Sequence, residues 1–212
     1  DSEGYAPPPP PWAGSFMRRW ARFVWNGESL LPGPLALDDF RLEQLPLHIE
    51  FRRNGKGGLP LDALRLLIPE WQTVQFDPDG YSHKEVMDLL MLGGERVCID
   101  VWAPDEEIEL GHAVTEHVLL RERLPVDLNT LYLTSELFPR LRYLSGIGPT
   151  GVLLVGRKRG DVSFVHDRLP RDILVAFDWW LAPDEGHEVP LKNDGAISGW
   201  VLDGSRLIGG VS

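Results

Sequence analysis

Apolar and polar positions change period several times along this 212-residue chain. Leu47-His-Ile-Glu-Phe51 alternates, and so does Trp71-Gln-Thr-Val-Gln-Phe76. A period of two places one face of a strand against a core. From Lys84 to Leu92 the spacing is helical, with Ser82 and Glu85 forming a capping box ahead of it and Gly93-Gly94 closing it. Arg96–Trp102 returns to a strand pattern, so residues 71–102 predict a strand–helix–strand unit. Asp105–Leu110, acid-rich behind Pro104, predicts a helix start. Gly111 interrupts it and leaves Val114–Leu120 open between helix and strand. Leu131–Leu133 reads as strand, and Ser135–Leu144 as helix with Pro139 in its first turn.

The last third predicts hairpins. Gly151–Val155 and Val162–Val165 flank the turn-rich Gly156–Asp161, and Ile197–Leu202 and Ser205–Val211 flank Asp203-Gly204. Asp-Gly between apolar runs is a strong hairpin signal. Mixed elements ending in hairpins predict an α+β fold: a single mixed domain with a largely antiparallel sheet.

The first residues differ from the rest. Pro7–Pro11 forms a polyproline rod, and Ser15 caps a predicted helix on which Phe16, Trp20 and Phe23 share one stripe. Residues 1–34 are therefore expected to be a Pro-, aromatic- and Arg-rich arm, and residues 35–212 a single α+β domain. A rod loses little entropy on docking, and Trp and Arg dominate interface energetics. The residues expected to meet a partner are Pro7, Pro8, Pro9, Pro10, Pro11, Trp12, Phe16, Arg18, Arg19, Trp20, Arg22, Phe23 and Trp25. The same stripe also suits packing on the protein's own body.

Charge narrows the partners. The formal net charge is -11, which disfavours nucleic acid and anionic lipid as partners of the whole chain. No apolar run has the length of a membrane span. The one cysteine, Cys98, lies in a strand pattern and reads as a buried thiol. With no signal-like stretch, the expected location is the cytoplasm or another reducing compartment.

Candidate chemistry is sparse. Asp77-x-Asp79-Gly80 resembles a calcium loop, but Tyr81 stands at the third oxygen position and a turn into the capping box explains it. Glu109, His112 and Glu116 share a helical face without the second Glu-x-x-His of a dinuclear site. Ser145–Gly151 is glycine-rich but leaves a helix for a strand, the reverse of a phosphate loop. Arg157, Lys158 and Arg159 read as an exposed basic tip. No pattern calls for a cofactor, a resident metal or a nucleophile. The expected function is a non-enzymatic protein–protein interaction protein, a subunit of a larger assembly that docks through the arm. One alternative is an immunity-type or inhibitor protein masking a basic partner with its acidic surface. Another is a metal-dependent hydrolase using His166, Asp167, Asp184, Glu185 and His187.

Overall fold

The computed structural model describes residues 18–25, 30–31, 47–51, 74–76, 94–184 and 187–203, with the side chains of 97–113, 115–184 and 187–202. Five strands in its second half run in one direction: β5 (Gly94–Asp100), β6 (Val118–Arg123), β7 (Gly151–Val155), β8 (Asp178–Ala182) and β9 (Gly199–Asp203). Each pairs parallel with the next. Parallel neighbours need crossovers, and helices supply several of them. These are α1 (Asp105–Val114), α2 (Thr130–Tyr132), α3 (Phe138–Leu144), α4 (Asp161–His166) and α5 (Arg171–Leu174). The fold is thus of α/β type, which corrects the expected α+β fold with a largely antiparallel sheet.

The earlier strands continue the same sheet. These are β1 (Arg18–Trp25), β2 (Leu30–Leu31), β3 (Leu47–Phe51) and β4 (Val74–Phe76). β1 pairs parallel with β3, β3 with β4 and β4 with β5, while β2 adds a short antiparallel edge to β1. β9 pairs parallel with β1, so eight parallel strands close into a ring. Taken past the register shift between β4 and β5, the eight parallel registers together displace the pairing by eight residues in one circuit of the ring. That displacement of eight residues is the stagger of a (β/α)8 barrel.

Local chemistry explains the departures from expectation. Arg18–Trp25 is a strand between β3 and β9, not a helix: its aromatic and β-branched residues suit a sheet, and pairing on both sides overrides a local helical period. Neither C-terminal hairpin forms in the described residues. Gly160, at φ 84°, takes the left-handed conformation, and Asp161 begins α4 instead of a returning strand. The Asp161 carboxylate accepts the backbone N–H groups of Arg157 and Lys158 at 3.0 and 2.8 Å, which closes the loop on itself. β9 is occupied by parallel partners on both edges, and residues 204–212, the expected return strand, lie outside the described residues. Leu131–Leu133 is helical, because Asn129 caps it by accepting Tyr132 N–H at 2.9 Å. A π-turn (Leu133–Leu137) joins α2 to α3. Pro139 would clash with the carbonyl four residues back in an α-helix, and the wider turn before it accommodates the ring.

Other expectations hold. Leu47–Phe51 is β3, Val74–Phe76 and Gly94–Asp100 are parallel neighbours, and Ser135–Leu144 is helical. The helix Lys84–Leu92 expected between them lies outside the described residues.

The sheet's two faces bury different sets. Val97, Ile99, Val118, Leu120, Val152, Leu154, Trp179 and Leu181 face the helices with Ile108, Leu137, Leu141 and Val165. Cys98, Leu119, Leu153, Val155, Trp180, Ala182 and Val201 fill the inside of the ring. Adjacent Trp179 and Trp180, both buried, therefore serve opposite faces. Gly111 does not break α1; it lets the helix lie on β5, since a Cβ there would overlap Ile99 Cδ1. We expect Gly111→Ala to destabilise the fold by about 1–3 kcal/mol through overpacking, despite a helix-propensity gain near 1 kcal/mol. Ile99→Val in the same chain should recover part of that loss. Urea unfolding of the two single variants and the double variant measures the coupling.

Candidate functional site at the carboxyl end of the ring

On β5 and β6 the residues facing into the ring turn from apolar to charged toward the carboxyl ends of the strands. On β5 the interior position after Cys98 is Asp100, and on β6 those after Leu119 are Arg121 and Arg123. Register confirms the shared face: Cys98 pairs with Leu119, Asp100 with Arg121, and Arg123 with Val155. Arg121 is only 5% exposed. Its Nη2 lies 3.9 Å from Asp100 Oδ2, and the Asp100 side chain is 40% exposed at the mouth.

The same phase runs on around the ring. Val201 is interior and pairs with Trp20, so Arg22 and its partner Asp203 occupy interior-phase positions. Arg22 pairs with His48 and Val24 with Glu50, which puts these in the same phase. The stagger amounts to one residue per strand. Alternate strands thereby place Asp100 and Val155 at one level, and Arg121 and Ala182 at the level beneath.

Behind this mouth, on the helix-facing side of β6, Glu122 is 2% exposed. Its Oε1 accepts the Tyr132 hydroxyl at 2.7 Å and its Oε2 the Trp102 indole N–H at 2.8 Å. Burial pushes its carboxyl up to about 7; the two hydrogen bonds oppose that rise and the charge of Asp100 adds to it. Burial and the neighbouring Glu122 also raise the Tyr132 phenol above its ordinary value. Trp102 N–H donates to Asp100 Oδ1 at 2.8 Å, so Trp102 ties the two acids together. Arg140 on α3 fixes this turn from outside, donating to Val101 O at 3.0 Å, Ala103 O at 2.9 Å and Asp105 Oδ1 at 3.0 Å. Tyr143 donates to Asp105 Oδ2 at 2.7 Å, and this bond, with Arg140, lowers the Asp105 carboxyl below its usual range.

A second concavity of about 440 Å³ lies between the loops after β7 and β8, with Arg159 and Ser163 on one side and His187, Glu188 and Pro190 on the other.

The structure disperses the other sequence candidates. His166 is fully buried with its ring edge-on to Trp179 at 6.2 Å, and burial lowers its pKa. Asp167 Oδ1 accepts Lys192 N–H at 2.8 Å, while His187 lines the second concavity. Glu185 lies outside the described residues, as do Asp77 to Glu85. Glu109, His112 and Glu116 are exposed, and no group of three His, Cys, Asp or Glu able to hold a metal occurs among the described residues. Cys98 is buried and free of disulfide, as expected. Ser145–Gly151 leads from α3 into β7, as expected. Of the residues expected to meet a partner, Pro7–Pro11, Trp12 and Phe16 lie outside the described residues. Arg18, Arg19, Trp20, Arg22, Phe23 and Trp25 fall on β1.

Sequence reasoning passed over Asp100, Trp102, Arg121, Glu122, Arg123 and Tyr132. The available signal was Leu119-Leu-Arg-Glu-Arg123, an apolar strand turning charged at its carboxyl end. The chain matches no protein-family model, and no curated protein matches it. No helix among the described residues is long and apolar enough to cross a membrane.

The buried acid makes stability depend on pH. The folded form of Glu122 holds its proton up to about pH 7, whereas the unfolded form releases it near 4.5, so stability falls as pH rises between those values. The loss amounts to about 3 kcal/mol by pH 8. His166 acts in the opposite direction: the unfolded imidazole takes up protons below about 6.5, and stability falls as pH drops beneath that value. Glu122→Gln can keep both bonds, its oxygen accepting from Trp102 and its amide donating to the Tyr132 oxygen. Urea unfolding at pH 5 and pH 8 should show wild type losing stability toward pH 8 and Glu122→Gln remaining flat or gaining.

Proposed function

We propose that this chain is an enzyme of (β/α)8 type that takes a small anionic substrate, carrying a carboxylate or a phosphate, into the carboxyl-end mouth of its ring. The observation that carries this reading is Arg121, a nearly fully buried guanidinium on the interior face at the end where (β/α)8 sites are built. A buried charge is costly unless it is paired, and Asp100 supplies a carboxylate at 3.9 Å on the side that opens to the mouth. A planar guanidinium that already bears its desolvation cost is suited to bidentate capture of carboxylate or phosphate. Arg123, one interior position further along β6, adds a second cation at the rim. Asp100, half open to the mouth, is the candidate base. Substrate enters from the strand carboxyl ends, the anion settles on Arg121, and Asp100 is placed beside it to accept a proton.

The test is a thermal-shift panel of phosphate- and carboxylate-bearing small molecules, each beside a neutral isostere, against wild type and Arg121→Met. Anions should raise the melting temperature of wild type, neutral isosteres should not, and Arg121→Met should lose the effect while staying folded by circular dichroism. Equal shifts from neutral compounds, or shifts retained by Arg121→Met, overturn the reading.

A further inference from the structure

Four groups connect the inside of the ring to its helix-facing side without a gap. Arg121 Nη2 faces Asp100 Oδ2 at 3.9 Å. Asp100 Oδ1 accepts Trp102 N–H at 2.8 Å. The Trp102 indole donates to Glu122 Oε2 at 2.8 Å, and Tyr132 holds the other oxygen at 2.7 Å. Glu122 itself cannot reach the mouth, because strand alternation turns it away from Arg121 and Arg123 on either side. Yet it accepts from the indole of Trp102, the residue whose backbone N–H donates to Asp100.

We propose that Glu122 is a positioning residue for the mouth: through the Trp102 indole it fixes the turn after β5, and that turn aims the Asp100 carboxylate at Arg121. The role rests on the mouth being the site. Both protonation states of Glu122 can keep the network. As an acid, its hydroxyl donates to the Tyr132 oxygen while its carbonyl oxygen still accepts from Trp102. As an anion, it accepts from both donors, and its charge strengthens the Trp102 bond. The hold on the turn therefore tightens when Glu122 ionises, which it does close to neutrality.

The charged and titratable groups around Glu122 are accounted for on each side. Tyr132 contacts it from α2, with Glu136 acting on that phenol from the π-turn. Asp100 adds a like charge from β5. Arg121 and Arg123 flank it on its own strand, and Arg140 braces the Trp102 turn at its carbonyls. The Tyr132 phenol is raised further above its ordinary value and stays protonated, so it remains able to donate to Glu122 throughout.

The test needs no ligand, so its failure is separate from failure of the mouth as a site. Carboxyl-carbon chemical shifts of ¹³C-labelled protein are followed from pH 5 to 9. In wild type, Asp100 should show a step with the midpoint at which Glu122 titrates. Glu122→Gln should abolish that step. Tyr132→Phe, which removes a bond favouring the anion, should move the Glu122 midpoint and the Asp100 step upward together. Trp102→Phe should leave Glu122 titrating but silence Asp100. An Asp100 signal without a step in wild type overturns the proposal, as does a step that survives Glu122→Gln or Trp102→Phe or stays in place in Tyr132→Phe. Tyr132→Phe and Trp102→Phe keep the aromatic bulk and decide the matter if Glu122→Gln does not fold.

Discussion

Closure of the parallel ring is the constraint on which the other features depend. Once β9 pairs with β1, none of the eight parallel strands can slip alone, because a slip of one residue would turn its whole set of side chains to the other face. The lock gives each strand one face toward the helices and one toward a narrow interior. The helix-facing side is uniformly apolar in its lower part, from Val97 and Val118 to Trp179. Among the described residues the interior is filled by Cys98, Leu119, Leu153, Val155, Trp180, Ala182 and Val201. At the carboxyl end of β5 and β6 this phase carries charge, and Asp100, Arg121 and Arg123 stand there.

Burial at that end sorts three consecutive residues into different roles. Arg121 and Arg123 face inward and carry positive charge to the mouth, while Glu122 faces outward and is taken out of water by Trp102 and Tyr132. A carboxyl with two donors would ordinarily be held well ionised; here desolvation outweighs both bonds and the balance falls near neutrality. The bracing by Arg140, which meets three oxygens around the same turn, shows that the turn's geometry is fixed from both sides.

Part of this was legible from residues alone. β3, the pairing of β4 with β5, the helical stretch before Ser145 and the buried thiol all follow from local period and composition. Strand direction did not follow, because a parallel pair and a hairpin use the same apolar runs. Gly160-Asp161 satisfied turn chemistry either way, and only the crossover helix α4 decides it. β1 misled for a related reason. Phe16, Trp20 and Phe23 share a helical stripe, yet alternation of Trp20, Arg22 and Val24 with Ala21, Phe23 and Trp25 was also present, and pairing on two sides selected it. The site escaped notice because its members come from separate strands and loops; Asp100 and Arg121 are neighbours only through register.

Ring closure with this phase is the central claim, and cross-linking tests it most directly. Arg22 and Asp203 are register partners on β1 and β9. Cysteines there, in a chain carrying Cys98→Ala, should form a disulfide under mild oxidation, since adjacent strands bring partner Cα atoms to about 5 Å. The out-of-phase pair Ala21→Cys with Asp203→Cys should not. Mass spectrometry of the digested protein reads both. A link in the first pair alone is the predicted result; no link there, or equal linking in both, would contradict the closed ring.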